Sequence, residues 1–365
     1  MERQERFSNI ELLRIIAMIM IVASHFSEHG NFNYPMNTIT INRLWIQFLG
    51  GGGKLGVNIF VLISGYFLIG ATGLKKNKII KLWIHIFTYS MVSFCVFIGL
   101  KIEPFSIKEL IRHLFPITFR QWWFASTYFA FYLFSPYINR LLRSFDKRDY
   151  QRFLILLTFC WCIIPTFLYV PWDSNELLWF AYLFSLAGYI RIYIDIDRVN
   201  GKKYIILAVS LMLLRFLTVI LFDVLGIKIP FFAAKATYFY HMQRIPTLLI
   251  ALTLFVGFLK TNIGYKSLIN IVSSATFGVY LIHDCYYVRP FLWRTVFKNS
   301  DYAESILLVP YSIIVIFVVF VICTTIELIR IRYLEKRYLG QIDSFSKVVD
   351  KYIEKFFSLN IFCRM

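Results

Sequence analysis

Residues 10–26 form the first long apolar run of the chain, and three ionisable side chains stand inside it: Glu11, Arg14 and His25. A charged group at the centre of a membrane helix costs about 2.5–3.5 kcal/mol on insertion scales, so such groups usually face a bundle interior or a wet cavity. Arg14 and His25 are eleven positions apart. At about 3.6 residues per turn this spacing returns to within about 20° of the same helix face, roughly 16 Å further along the axis. A guanidinium can grip phosphate or carboxylate through paired N–H donors. An imidazole, with an unperturbed pKa of about 6.5, can take a proton from a hydroxyl or carry an acyl group transiently. Glu11 lies one turn before Arg14, close enough to pair with it. The spacing equally fits a plainer arrangement, in which Arg14 snorkels to the inner headgroups and His25 marks the outer interface.

Other polar residues interrupt later apolar runs. Glycines at 50–53 and Gly56 precede a segment carrying Asn58 and Ser64-Gly65, where small residues permit close helix approach. Trp122, Trp123, Tyr128 and Tyr132 can stack on a sugar or on adenine, or form an interfacial aromatic belt. Arg215 sits well inside its run and needs a partner or water. His241 and Arg244 precede Ile245-Pro246, where the proline can kink a helix with a wet start. His283-Asp284 reads as acceptor binding, as support for a catalytic site, or as an interfacial pair. Glu327 reads as the partner of Arg330. His25 and His29 have helical metal spacing, but no carboxylate completes a known motif, and no metal is expected.

The elements that must hold these groups are membrane helices. Of the 365 residues, 58% are apolar, 19% aromatic and 16% charged, against about 25% charged in soluble domains. Mean hydropathy is +0.63. These values exclude a disordered chain and argue against a soluble globule. The net charge of +18 is not gathered on a soluble domain, which argues against nucleic acid as a partner. The six cysteines show no paired metal spacing and suggest no disulfide framework.

About ten runs approach the roughly 20 apolar residues a spanning helix needs: 10–26, 55–70, 82–100, 122–138, 153–170, 177–194, 203–222, 240–259, 270–288 and 305–329. The expected fold is all-α and polytopic, with about ten transmembrane helices around a central polar cavity. With the N-terminus inside, 25 of the 39 lysines and arginines lie in inward segments and 11 in outward ones. The positive-inside rule therefore places both termini in the cytoplasm. Residues 1–330 read as one membrane-embedded domain and residues 331–365 as a basic amphipathic cytoplasmic tail on the bilayer surface.

Arg14-x10-His25, followed by Gly56-Val57-x2-Phe60-x3-Ser64-Gly65-Tyr66, resembles the acyltransferase-3 family of membrane O-acyltransferases. Lys78-x2-Lys81-Leu82 stands where that family usually has Arg-x2-Arg. Trp123-Phe124 with Tyr128, Tyr132 and Ser135-Pro136 resembles its aromatic helix. Phe277-Gly278-Val279-Tyr280-Leu281-Ile282-His283 resembles its late Ser/Tyr-Leu-x-His segment. The resemblance runs in order from about residue 7 to 330, and the nearest subgroup in kind is the bacterial enzymes that O-acetylate surface polysaccharides.

The resemblance implies a multi-pass protein of the bacterial plasma membrane, with acetyl-CoA as co-substrate and no permanently bound cofactor. The acceptor would be a hydroxyl of a cell-surface or exported polysaccharide. Arg14, Lys75, Lys76, Lys78 and Lys81 would form a basic inner vestibule for the coenzyme's phosphates. His25 would act as general base or transient acyl carrier. Glu11, Asn58, Ser64, Trp123, Tyr128, Arg215, His241, Arg244 and His283 would line the cavity or meet the acceptor. Two departures bear on this. Lysine at 78 and 81 weakens the expectation of a bidentate phosphate grip, and no SGNH-type domain follows the tenth span, so the membrane domain or a separate partner completes transfer. The oligomeric state is left open. A transporter or flippase for a glycan or lipid-linked precursor is the rival reading, and a non-catalytic scaffold a second.

Overall fold

The computed structural model describes residues 7–35, 38–71, 73–168, 174–335 and 337. Every regular element among them is helical. The principal helices are α1 (Ser8–His29), α2 (Ile41–Gly50), α3 (Gly53–Leu68), α4 (Lys76–Gly99), α5 (Ile107–Leu114), α6 (Trp123–Ser144) and α7 (Lys147–Phe167). They continue with α8 (Glu176–Tyr193), α9 (Gly201–Gly226), α10 (Ile245–Lys260), α11 (Ser267–His283), α12 (Val288–Val296) and α13 (Leu308–Arg330).

Each of the ten apolar runs falls on one of these helices, but fewer qualify as spans. Seven helical stretches are long and apolar enough to cross a membrane, or eight if α11 and α12, which meet at 89°, count as one broken span. The shortfall against ten lies at α6 and α8, which carry serines, threonines and tyrosines along with their apolar residues. Neighbouring helices shelter them: α8 buries Trp179, Phe180, Tyr182, Phe184 and Ser185, and α6 buries Ser126, Thr127 and Ser135. The proposed tail lies outside the described residues beyond its first few positions, where 331–335 continue α13 as a wider helical turn.

Helix α1 is the inner post of the bundle and packs on α2, α3, α10, α11 and α13. It buries Ile10, Leu13, Ala17, Ile21, Val22 and Phe26. Helix α9 is of the opposite kind and exposes Ile206, Leu213, Leu214, Leu217 and Leu221 to the surroundings, as a lipid-facing helix must. The glycines that open α3 serve close approach to α1. A Cβ at Gly56 would sit 2.7 Å from the Ala17 carbonyl oxygen, nearer than real side chains come, so α3 can lie flush on α1 only without that carbon.

Prolines are accommodated in separate ways. Pro136 inside α6 lacks the N–H that would bond to the carbonyl four residues back. Ser135 Oγ donates to that carbonyl, Tyr132 O, at 2.7 Å. Pro246, which could have kinked a helix, instead occupies the first turn of α10, where a missing N–H leaves no bond unmade. His241 and Arg244 therefore lie in the loop ahead of α10. A buried ion pair, Arg43 Nη2 to Asp223 at 2.5 Å, pins α2 to α9, and Arg43 Nη1 also donates to the carbonyls of Pro35 and Thr38.

Candidate active site

A cavity of about 940 Å³ runs along α1, and its wall includes both Arg14 and His25. The remaining wall comes from α3, α4, α6, α11 and α13. The helix period that puts Arg14 and His25 on one face is thus realised against open space, not against lipid or packed apolar side chains. Ser64, Lys81, Trp123 and Tyr128 line the same cavity, and Tyr128 OH donates to Ser64 Oγ at 3.3 Å.

The histidine end is held by a relay of hydrogen bonds. His283 Nδ1 lies 2.6 Å from the carbonyl oxygen of Val279, which can only accept. His283 Nδ1 therefore carries the proton, and its Nε2, when the ring is neutral, is bare. That Nε2 stands 2.9 Å from His25 Nδ1, so His25 Nδ1 donates. His25 is left with Nε2 as its basic nitrogen, on a residue that lines the cavity. Asp284 Oδ1 lies 3.7 Å from His25 Nδ1 and 3.8 Å from His29 Nε2, while Arg289 Nε sits 2.7 Å from the same oxygen. His283 itself is fully buried behind His25 and is absent from the cavity wall.

His25, His29 and Asp284 have ligand atoms within 4.8 Å of one another, a group that could receive a cation. The donor set is poorly suited to one. Tetrahedral zinc holds its ligands at about 2.0–2.2 Å, which brings them closer together than this. His25 Nδ1 is engaged by His283, and the Asp284 carboxylate already faces the guanidinium of Arg289.

The Arg14 end carries a denser charge cluster than the sequence suggested. Arg14 Nη1 meets Glu11 at 3.2 Å, and Ser273 Oγ donates to Glu11. Across the cavity, Glu327 accepts two bonds from Arg330, each 2.8 Å, together with one from Tyr89 OH at 2.6 Å; His85 Nε2 lies 3.2 Å from it. Arg330 also reaches Glu335 at 2.9 Å, and Lys81 pairs with Glu335. His85, Glu327, Arg330 and Glu335 all line the cavity. Room for Glu327 depends on Gly278, since a Cβ there would collide with its carboxyl group.

Lys54 and Glu28 complete the histidine end. The Lys54 ammonium stands 4.1 Å from the centre of the Trp123 ring, a cation–π contact, and Ser24 Oγ donates to Glu28 at 2.7 Å. Sequence reasoning placed Lys54 in an outer loop and overlooked it. Its one signal was position: a lysine between glycines at the start of α3.

Several expected cavity residues lie elsewhere. Asn58 is buried between helices, donating to Met242 O and accepting from Trp179 Nε1, each at 2.9 Å. Arg215 donates to Thr247 Oγ1 and Gly51 O at 2.8 Å and lies over the Tyr240 ring, a clamp between α9, α10 and the α2–α3 corner. Asn58 meets partners at both amide atoms and Arg215 at both terminal nitrogens inside the protein, which sequence spacing cannot distinguish from facing water. Lys75, Lys76 and Lys78 are exposed at the start of α4 and do not line the cavity; Lys81, one turn further on, does. Glu11 sits just behind the wall. Of the four expected aromatics, Trp123 and Tyr128 line the cavity, whereas Trp122 and Tyr132 are buried. His241 and Arg244 line a second cavity of about 720 Å³, which shares Glu28 and Lys54 with the first.

No curated protein and no solved structure matches this chain. A family model described as an acyltransferase domain does match, over residues 7–328. That stretch takes in both α1 residues, the whole cavity wall as far as Glu327, and all the helices described above except the last turn of α13. The chain belongs to the acyltransferase-3 family and is a membrane acyltransferase.

Proposed function

We propose that the protein moves an acetyl group from cytoplasmic acetyl-CoA to a hydroxyl of a cell-surface or exported polysaccharide, with His25 as general base. The observation that carries this reading is the shared cavity: Arg14 and His25 line one continuous space roughly three helical turns apart. In the positive-inside orientation Arg14 lies toward the cytoplasm and His25 toward the outer surface. The coenzyme's phosphates would meet Arg14, Lys81 and Arg330, and its extended arm would carry the thioester along the cavity toward His25.

At that end the chemistry balances simply. His25 Nε2 takes the proton of the acceptor hydroxyl as its oxygen attacks the thioester carbonyl. The C–S bond breaks, the acetyl ester forms, and the proton passes to the departing coenzyme thiolate. His283 and the Val279 carbonyl hold His25 in the tautomer this step needs, and Asp284 stands near the Nδ1 side as charge develops on the ring. The Lys54 ammonium lines the same space and is suited to the negative charge that builds on the carbonyl oxygen. Transient acetylation of His25 would use the same nitrogen.

Mass spectrometry of surface glycans from cells with and without the gene, with a His25→Ala form as control, tests this reading. O-acetyl groups should depend on the gene and on His25. Unchanged acetylation in the deletion would remove the proposed function.

A further inference from the structure

Ser24, His25 and Glu28 follow one another on α1, and all three line the main cavity. Glu28 stands one turn beyond His25, a spacing that brings two side chains to about 5–6 Å at their Cβ atoms. It also lines the second cavity, so its carboxylate faces the junction of the two spaces. That carboxylate is held in place. Ser24 Oγ donates to its Oε1 at 2.7 Å, and the same hydroxyl lies 3.3 Å from the Gly50 carbonyl oxygen. Room for the serine depends on Gly53, since a Cβ there would collide with Ser24 Oγ. The other oxygen, Oε2, has no hydrogen-bond partner among the described residues. Lys54 shares both cavity walls, yet it forms no ion pair with Glu28 among the described residues; its ammonium stays over the Trp123 ring at 4.1 Å. A serine and an aromatic ring thus keep two opposite charges apart on one wall beside His25.

We infer that Glu28 binds the acceptor, taking a hydrogen bond from a second free hydroxyl of the sugar ring whose reacting hydroxyl meets His25. The inference rests on the proposed acetyl transfer and adds a residue that selects its acceptor. A carboxylate offers acceptor oxygens, so it recognises O–H donors, and hydrogen bonds to it are stronger than those between neutral groups. A ring with a single free hydroxyl leaves Glu28 unmatched. A ring with two is clamped at both, and the clamp turns one of them toward His25 Nε2. Lys54, kept on Trp123 and out of an ion pair, remains on the same wall for the carbonyl oxygen of the thioester. The second cavity opens on the same carboxylate and gives the rest of the ring a place outside the chamber that the coenzyme arm fills.

The test uses the full chain in phosphatidylcholine vesicles, labelled acetyl-CoA as donor, and surface glycan purified from gene-deletion cells as acceptor. Glycan and donor are varied separately. Glu28→Ala should raise the KM for glycan about tenfold or more, the worth of a hydrogen bond to a charged group, while the KM for acetyl-CoA stays within about twofold. Glu28→Gln keeps an acceptor oxygen without the charge and should fall between wild type and Glu28→Ala. Coenzyme A binding reports that each variant is folded. A merely structural role for Glu28 would lower thermal stability and leave the glycan KM where it was. An unchanged glycan KM in Glu28→Ala, or an equal rise in both KM values, overturns the inference. Mapping of the acetylated positions is the second measurement. Each acetylated ring should keep another free hydroxyl, and acetylation of rings that have none also overturns it. Absence of any glycan acetylation by the wild type would instead count against the proposed transfer, and the inference would fall with it.

Discussion

His25 Nδ1 and His283 Nε2 are 2.9 Å apart, and the second nitrogen of His283 is tied to the Val279 carbonyl. The relay fixes which nitrogen of His25 is basic, so a residue that does not line the cavity sets the reactivity of one that does. His283→Ala should lower the turnover number by about 10–100-fold with little change in donor KM, the pattern of a positioning residue. His283→Gln, whose side-chain oxygen can still accept from His25 Nδ1, should recover part of the loss. Equal activity of the wild type and both variants would dissociate His283 from the reaction.

Arg14 lines the opposite end of the cavity and pairs with Glu11 at 3.2 Å. Arg14→Ala should weaken coenzyme A binding by about 1.5–3 kcal/mol, the usual worth of a charge-assisted hydrogen bond. Arg14→Lys should restore part of this, because the charge returns without the fork. Titration of coenzyme A into the purified variants measures both, and wild-type affinity in Arg14→Ala would remove the donor role.

Gly278 leaves the space that the Glu327 carboxyl occupies. Gly278→Ala should push Glu327 off its contacts with Arg330, His85 and Tyr89, leaving buried charges poorly paired and lowering stability by about 3–5 kcal/mol. Thermal unfolding in detergent reads this. Combining Gly278→Ala with Glu327→Gln should cost less than the sum of the two single changes, since both disturb one cluster. Strict additivity would show that the glycine serves something other than the carboxylate.

His113 lies outside the spanning helices, wholly buried, its ring stacked 4.9 Å from Tyr287 and its Nδ1 bonded to the Glu109 carbonyl. Burial holds its pKa below the ordinary histidine value, and the Glu109 carbonyl offsets this only in part. The unfolded chain therefore binds the proton first as pH falls. Stability should be intact above about pH 6.5 and decline below it as the folded form resists protonation. His113→Phe should flatten that acid limb in pH-dependent unfolding, and an unchanged limb would assign the sensitivity elsewhere.

The sequence was most informative where one helix face carried the chemistry. A period of 3.6 puts Arg14 and His25 on the same side of α1, and the cavity lies on that side. The same reasoning misplaced Arg215 and Asn58, because a polar residue in an apolar run shows that a partner exists without showing whether it is water, a backbone carbonyl or another helix. Glu327 and Arg330 were read correctly as a pair three residues apart. Their place on the cavity wall depends on α11 packing against both α13 and α4, and on His85 and Tyr89 of α4 reaching Glu327, which no local pattern records. Lys54 escaped notice for a related reason. It sits in a glycine-rich corner whose path across α1 is set by tertiary contact, and only the folded chain shows it standing over Trp123.

In the proposed transfer, His25 acts on a hydroxyl inside the cavity that it lines together with Arg14. Transfer of labelled acetyl groups from acetyl-CoA to glycan, by the full chain reconstituted in vesicles, tests it most directly when wild type and His25→Ala are compared at equal coenzyme A binding. Loss of a proton-accepting group should reduce transfer by about 10²–10⁴-fold with the donor still bound. Transfer by His25→Ala at the wild-type rate would show that His25 does not take the hydroxyl proton.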